Sequence, residues 1–341
     1  MVRKVKKKKS GLRIFIELLL MVVFASFVCK FIITSGDLQL FKKEYVDKSL
    51  SNFSFNPRTD SSEARKTPVS LYKVENDSSA LTALDKLNSS NAILVRLKDH
   101  AILMQKNSEE KIYPASLTKM MTAIVAIENL HDLKGEIKLT NSMFKGLYEV
   151  GASMAGFQPG EQVRAIDLLY GIMLPSGAEC CIGLANKIAG SEKNFVKMMN
   201  QKAVDIGLEN THFENTTGLH DDNHYTTVKD LAVLLSYALK NDTFQEIFTS
   251  PRHSTPPTNK HIDGITFNST MFEKLNDNNI TGGEIVGGKT GFTGEAGLCL
   301  ASLAKVNKQE YILVTVGAKG DSYSEQFNIT DALAVYSSIG E

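Results

Sequence analysis

Two candidate β-hairpins that lie far apart in the chain constrain its fold more than any other feature. Residues 92–97 and 101–105 are apolar segments on either side of Lys98-Asp99-His100, and residues 297–305 and 310–316 flank Val306-Asn307-Lys308. Apolar runs joined by short polar turns predict hairpins. The stretch between them reads as helical, so the sequence predicts one antiparallel sheet that is completed late. That is an α+β fold with a helical lobe from the middle of the chain.

The helices of that lobe are predicted from apolar residues at helical spacing. In residues 116–130 the apolar positions follow this spacing, and Pro114 stands just ahead of them. Gly207 ends another such segment. The predicted helices are 116–130, 161–174, 178–189, 192–206, 228–239 and a final one over 324–338.

The first of three short polar strings begins the helix predicted over 116–130. Ser116 and Lys119 are three positions apart, so they share one face of that helix. The unpaired N–H groups and positive dipole of a first turn favour a serine alkoxide and disfavour a protonated lysine. Burial would lower the lysine pKa further and make it a base for the serine. A helix-capping serine followed by a solvated lysine is the alternative.

The other two strings are Ser176-Gly177-Ala178 and Lys289-Thr290-Gly291. The serine of the second string follows a helix that ends at Leu174-Pro175, and its hydroxyl could relay a proton. In the third string, a cation and a hydroxyl on an exposed edge strand could hold a carboxylate, and the glycine would let a peptide lie along the strand. The N–H of Phe292 could join that of Ser116 in an oxyanion hole.

Together the strings resemble the S-x-x-K, S-x-N and K-T-G set of penicillin-binding proteins and serine β-lactamases. The sequence around the three strings is similar to that of the D-alanyl-D-alanine carboxypeptidases, the low-molecular-mass penicillin-binding proteins. The similar stretches are 114–122, 174–177, 195–219, 224–227 and 288–293. The similarity runs from about residue 81 to the end. It implies the β-lactamase/transpeptidase-like fold, an antiparallel sheet flanked by helices. About fifty residues follow Lys289, so no C-terminal β-rich domain is expected.

The resemblance also implies an activity and roles for the motif residues. The expected function is removal of the terminal D-alanine from peptidoglycan stem peptides ending in D-Ala-D-Ala, with β-lactams as acylating inhibitors and no cofactor or metal. The implied roles are nucleophile for Ser116, base for Lys119, proton shuttle for Ser176, carboxylate ligands for Lys289 and Thr290 beside Gly291, oxyanion N–H groups for Ser116 and Phe292, and a second basic contact for Lys319.

One position departs from the family pattern, because Ala178 stands where asparagine is usual. The loss of a buried hydrogen bond of that kind costs about 1–3 kcal/mol, which slows an enzyme more readily than it abolishes one. The departure suits a specialised member, such as the accessory carboxypeptidases of glycopeptide-resistance clusters. Two alternatives remain open, a β-lactamase that enlists Glu149 or Glu161 as a base, and a non-catalytic sensor of muropeptides or β-lactams.

The N-terminus carries a cluster of lysines and arginines followed by an uninterrupted apolar run over 18–29. This order predicts a single-pass membrane anchor with the working domain outside the cytoplasm. The predicted parts are a cytoplasmic basic tail at 1–11, a transmembrane signal-anchor at 12–34, a linker at 35–80 and the catalytic domain at 81–341. A cleaved signal peptide is the alternative.

Charge, cysteines and histidines exclude several other classes. The chain has a formal net charge of zero, and with a basic N-terminus the body is mildly acidic, which argues against nucleic-acid binding. Cys180 and Cys181 are adjacent and predicted to be buried, with a bridge from Cys299 left open. His220 and His224 fall in a predicted surface loop without a third metal ligand nearby.

Overall fold

The computed structural model describes residues 73–75, 77, 80, 84 and 86–341. Its centre is a six-stranded sheet with the strand order β2-β1-β10-β9-β8-β7. Every neighbouring pair in it is antiparallel. The strands are β1 (Asn91–Arg96), β2 (Ala101–Lys106), β7 (Asn279–Ile280), β8 (Gly283–Thr293), β9 (Gly297–Val306) and β10 (Gln309–Ala318).

Side chains alternate between the two faces of this sheet, and each face packs against helices. On β1, Ile93 and Val95 join a large core cluster with the central helices. Ala92 and Leu94 point the other way, into a smaller cluster with the C-terminal helix. Both faces are therefore buried, and burial of this apolar surface is the main stabilising contribution to such a layered fold.

Seven α-helices occur in the described part of the chain. The helices are α1 (Thr118–Asn129), α2 (Ala165–Met173), α3 (Ala178–Ala189), α4 (Glu192–Asp205), α5 (Val228–Ala238), α6 (Asp242–Thr249) and α7 (Phe327–Ser338). Ser116 and Lys119 lie at the start of α1 and Ser176 lies just before α3, whereas Lys289 lies on β8. Two small two-stranded sheets complete the fold, β3 (Glu136–Lys138) with β4 (Gln162–Arg164) and β5 (Arg252–Ser254) with β6 (Thr266–Asn268).

Both predicted hairpins and the predicted α+β class are confirmed, and the helix over 178–189 has the predicted bounds. The predicted start of the helix over 161–174 is wrong, because Gln162–Arg164 pair with β3 before α2 begins. The prediction missed α6, and it gave only part of β8. The predicted domain start at 81 is also late, because Val74 already pairs with Ile102.

Several N-terminal predictions lie outside the described residues, namely the tail at 1–11, the anchor at 12–34 and most of the linker at 35–80. Within the described residues, no helix combines the length and the apolar character that a membrane crossing requires. Cys180, Cys181 and Cys299 are buried free thiols, so the bridge left open from Cys299 is not formed.

Candidate active site

Ser116 lies in a 3-10 turn, Ala115–Leu117, that leads directly into α1. Leu117 is buried, whereas Ser116 is partly exposed to a cleft. The preceding residue, Ala115, has a left-handed φ of 45°. Gly218 packs against this turn so closely that a Cβ there would lie 1.8 Å from the Ala115 carbonyl oxygen. Only glycine fits at 218, and its close approach holds the strained turn that presents the serine.

Lys119 is buried one turn further along, with 3% of its surface exposed. Its Nζ lies 3.1 Å from Ser116 Oγ and donates a 2.6 Å hydrogen bond to the Thr217 carbonyl oxygen. Burial lowers the pKa of Lys119, and the neighbouring Cys181, Glu179 and Cys180 offset part of that effect. The predicted pair of serine and buried lysine is therefore brought together, and burial shifts the lysine pKa toward the neutral amine.

A loop after α4 supplies the Thr217 carbonyl, and the side chains of Asn215 and His224 hold the loop in place. Asn215 Oδ1 accepts the N–H groups of Thr217 at 3.1 Å and Gly218 at 2.7 Å. His224 Nδ1 accepts the Glu214 N–H at 3.2 Å, so Nε2 carries the proton and donates to Thr118 Oγ1 at 2.8 Å. Burial lowers the pKa of His224 to about 4, which keeps the ring neutral.

The prediction of a surface loop at 220–224 is wrong for His224, which is buried. His220 packs edge-on against the ring of Tyr113 and stays partly exposed. Over the described residues, no group of side chains is arranged to hold a metal ion. His224 packs against Phe213 and hydrogen-bonds with Thr118.

Ser176 occupies the loop between α2 and α3 with a left-handed φ of 67°. The residue is 5% exposed, and its Oγ lies 3.1 Å from Lys289 Nζ. Lys289 also donates a 2.8 Å hydrogen bond to the Thr290 carbonyl oxygen. The structure thus links the second and third motifs through a serine hydroxyl and a lysine amine.

The Lys289 side chain is fully buried on its strand. Burial lowers its pKa well below the usual value, and the charge of Lys119 adds to the effect. The edge of β8 is open as expected. Strand β7 pairs with Gly283 and Glu284, and beyond them no described strand adjoins that side of β8.

The rest of the third motif faces Ser116. A Cβ on Gly291 would lie 3.1 Å from the Ser116 backbone nitrogen, so a side chain there would press on the serine. Thr290 Oγ1 lies 2.6 Å from Thr270 Oγ1, and Phe292 remains 37% exposed. The Ser116 nucleophile, the open edge of β8 and the Thr290 hydroxyl therefore lie close together.

A cleft of about 240 Å³ opens where these elements meet. Lys319 is exposed just after β10, and it does not line this cleft. Sequence reasoning missed eight of the thirteen lining residues, which come from outside the three motifs: Gly151, Ser153, Thr270, Lys274, Leu298, Ser322, Gln326 and Asn328. The other five are Ser116, Ser176, Thr290, Gly291 and Phe292.

Ala178 is buried at the start of α3, beside a loop that borders the cleft. Its N–H donates to the Ser153 carbonyl oxygen at 2.8 Å. The following residue, Glu179, accepts the N–H groups of Ala155 at 2.8 Å and Gly156 at 3.0 Å through Oε1. Burial raises the pKa of Glu179. These hydrogen bonds fix the main chain around Ala178 although the usual asparagine amide is absent.

Comparison with known proteins agrees with this geometry. The family described as D-alanyl-D-alanine carboxypeptidase matches residues 77–320, which is most of the chain. The chain belongs to this family. The predicted family and the predicted transpeptidase-like fold are therefore confirmed.

Two curated relatives illustrate the similarity. The chain is 35% identical over 234 residues to the D-alanyl-D-alanine carboxypeptidase DacF of Bacillus subtilis, an alignment covering 67% of this chain and 57% of the relative. It is 32% identical over 259 residues to DacC of Escherichia coli, covering 72% of this chain and 60% of the relative. The chain therefore spans less than two thirds of the length of either relative.

Solved structures show the same fold. The Streptomyces K15 DD-transpeptidase is similar with a TM-score of 0.67 and 25% identity, and the match covers 74% of this chain and 97% of that one. Penicillin-binding protein 5 from Haemophilus influenzae has a TM-score of 0.61 and 26% identity, with 72% of this chain and 69% of that chain covered.

Proposed function

We propose that this protein is a membrane-anchored, extracytoplasmic serine D,D-carboxypeptidase that removes the terminal D-alanine from peptidoglycan stem peptides. The observation that carries the proposal is the 3.1 Å approach of the buried Lys119 amine to Ser116 Oγ. A neutral amine within hydrogen-bond distance of a hydroxyl is the arrangement that activates a serine nucleophile. Family membership supports the substrate class.

Acylation begins when neutral Lys119 takes the Ser116 proton. Ser116 Oγ attacks the carbonyl carbon of the penultimate D-alanine, and the carbonyl oxygen becomes an oxyanion. The Ser116 N–H lies beside the β8 strand near Gly291, which supports its pairing with the Phe292 N–H as the oxyanion hole. Preorganised donors of this kind contribute about 10²–10³-fold in rate.

Collapse of the tetrahedral intermediate breaks the C–N bond and releases D-alanine. The leaving nitrogen takes a proton from the Ser176 hydroxyl, which lies 3.1 Å from Lys289 Nζ, and the proton that Lys119 took from Ser116 restores the Ser176 hydroxyl, so that Lys119 is neutral again. The remaining ester on Ser116 is then attacked by water, with Lys119 again the nearest base. The peptide leaves one residue shorter, and the serine regains its proton.

The β-lactamase alternative finds little support in the surroundings of the two glutamates that it would need. Glu161 is fully buried and bound to Gln158 N–H, Thr258 and His261. Glu149 is exposed, and neither glutamate lines the cleft. A carboxylate that activates deacylating water has to reach the acyl group, so rapid β-lactam turnover is not expected.

The test is D-alanine release from a peptide ending in D-Ala-D-Ala, with the full chain in detergent beside its Ser116→Ala variant. We expect release from the parent protein and none above background from the variant. The absence of release from both, with β-lactam still bound, would favour the sensor alternative. Accessibility of the domain to an impermeant label on intact cells tests the extracytoplasmic location.

A further inference from the structure

Two consecutive residues of the loop after α4 contact the two groups between which the proton moves. The Thr217 carbonyl oxygen accepts the 2.6 Å hydrogen bond from Lys119 Nζ. Gly218 packs against the carbonyl of Ala115, in the turn that carries Ser116. The separation of the lysine amine from the serine hydroxyl therefore depends on how residues 217 and 218 are held.

Asn215 holds both residues with one oxygen atom. Its Oδ1 accepts the Thr217 N–H at 3.1 Å, the Thr217 hydroxyl at 3.0 Å and the Gly218 N–H at 2.7 Å. Its Nδ2 donates to the Leu219 carbonyl oxygen at 2.9 Å. The orientation of the amide is settled, because the oxygen faces donors and the nitrogen faces an acceptor. The side chain thus fixes the direction in which the Thr217 carbonyl points.

The residue between them, Thr216, is anchored independently of Asn215. Its N–H and its hydroxyl donate to Glu192 Oε1 at 3.0 Å and 2.7 Å, which ties the loop to α4. Its carbonyl oxygen accepts a 2.7 Å hydrogen bond from Thr122 on α1. These contacts remain when Asn215 is replaced, so the loop stays attached to both helices. The specific contribution of Asn215 is the orientation of residues 217 and 218.

We propose that Asn215 is a positioning residue for acylation, which fixes Lys119 through the Thr217 carbonyl and the Ser116 turn through Gly218. One side chain then sets both partners of the proton transfer. The assignment rests on the proposed serine acyl-transfer function and deepens it. A misplacement of about 1 Å in a reacting pair can cost about 10²-fold in rate, so a side chain that prevents such a shift has a large effect without touching the substrate.

The Thr217 carbonyl also influences how readily Lys119 loses its proton. A carbonyl oxygen stabilises an ammonium group more than an amine, so loss of this contact lowers the Lys119 pKa further. The ionisable groups that face the amine from neighbouring elements are unchanged in an Asn215 variant, and they are Glu179, Cys180 and Cys181 on α3 and Lys289 on β8. A displaced pH profile in such a variant therefore reports the carbonyl contact.

The experiment compares Asn215→Ala and Asn215→Asp in the full chain, with Asn200→Ala as the matched control. Asn200 holds the start of the same loop, because its Oδ1 accepts the Phe213 N–H at 2.8 Å and its Nδ2 donates to the Phe213 carbonyl at 2.8 Å. The control removes loop hydrogen bonds without touching residues 217 and 218. The assays are the benzylpenicillin acylation rate against pH, D-alanine release from a D-Ala-D-Ala peptide, and thermal denaturation.

The two Asn215 variants should differ in both rate and pH profile. Asn215→Ala should lower the maximal acylation rate about 10- to 100-fold and move the rise of rate with pH to lower pH. Asn215→Asp keeps an oxygen for the two N–H groups and adds a negative charge. Its maximal rate should therefore stay near that of the parent protein, and its rise should move to higher pH. Asn200→Ala should keep the rate and the pH profile of the parent, even if its Tm falls.

Several outcomes would overturn the assignment. One is an Asn215→Ala variant that acylates as fast as Asn200→Ala, and another is a pH profile that stays in place in both Asn215 variants. If Asn215→Ala does not fold, Asn215→Asp decides, and a fall in its maximal rate or an unmoved profile counts against the proposal. A parent protein that is acylated but releases no D-alanine overturns the proposed function, and the acylation assay still decides on Asn215. A parent protein inert in both assays overturns both.

Discussion

The two buried lysines of the site have nearly the same contacts and different surroundings. Lys119 Nζ lies 3.1 Å from Ser116 Oγ and 2.6 Å from a carbonyl oxygen. Lys289 Nζ lies 3.1 Å from Ser176 Oγ and 2.8 Å from a carbonyl oxygen. Cys181 favours the charged form of both lysines, and Glu179 favours it at Lys119, whereas Lys289 meets the repulsion of Lys119 in addition to burial.

The different surroundings of the two lysines indicate different roles for the Lys119–Ser116 pair and the Lys289–Ser176 pair. The pKa of Lys289 is lowered by both burial and Lys119, so Lys289 loses its proton before Lys119 as the pH rises. Lys119 is then the group whose titration controls activation of Ser116. The Lys289–Ser176 pair then transfers protons to the leaving nitrogen, and Lys289 does not act as a permanently charged group.

Replacement of Lys119 tests the first pair and should have the largest effect. Lys119→Met removes the base, and we expect acylation of Ser116 to fall about 10³–10⁴-fold. Stability should not fall, because the depressed pKa means that the lysine costs folding free energy at every pH below its unfolded value. Acylation kinetics and thermal denaturation measure the two effects. Normal acylation in a folded variant would contradict the assignment of the base.

Replacement of Lys289 tests the second pair. Lys289→Met should lower kcat/KM about 10²-fold, because the relay through Ser176 loses its partner. The rise of kcat/KM with pH reports loss of the Lys119 proton, and this limb should stay in place because Lys289 is already neutral there. A pH–rate profile of both proteins measures the effect. A limb displaced to higher pH in the variant would mean that Lys289 is charged.

Restoring the usual residue beside Ser176 should have the smallest effect. Ala178→Asn returns an amide to the start of α3, and we expect kcat/KM for the peptide to rise about 10-fold through one added hydrogen bond. Ala178→Leu has a similar size without the amide and serves as the control. If both folded variants give the same kcat/KM, other residues of the cleft already compensate for the missing asparagine amide.

The sequence predicted those parts of the fold that local periodicity determines. The bounds of α3 follow from the apolar spacing and from Gly190, whose left-handed φ of 73° ends the helix. The full length of β8 was missed because Gly287 and Gly288 interrupt the apolar pattern of a strand. Their lack of side chains reflects close packing against Phe248 and Met271, which no local pattern reveals.

The site was predictable where motif residues carry the chemistry. The approach of Lys119 to Ser116 follows from helical spacing, and its burial completes the pair. The Thr217 carbonyl and Lys274 come from distant segments with no motif, so only the folded structure brings them to the cleft. Burial of Lys289 likewise depends on the loop that carries Ser176, and no local pattern in the sequence reveals that contact.

The most direct test of the central claim is the intact mass of the full chain after brief exposure to benzylpenicillin, followed by peptide mapping of the adduct. We expect one added penicilloyl group, located on Ser116, and none in Ser116→Ala. An adduct on any other residue, or an adduct that persists in Ser116→Ala, would contradict Ser116 as the nucleophile.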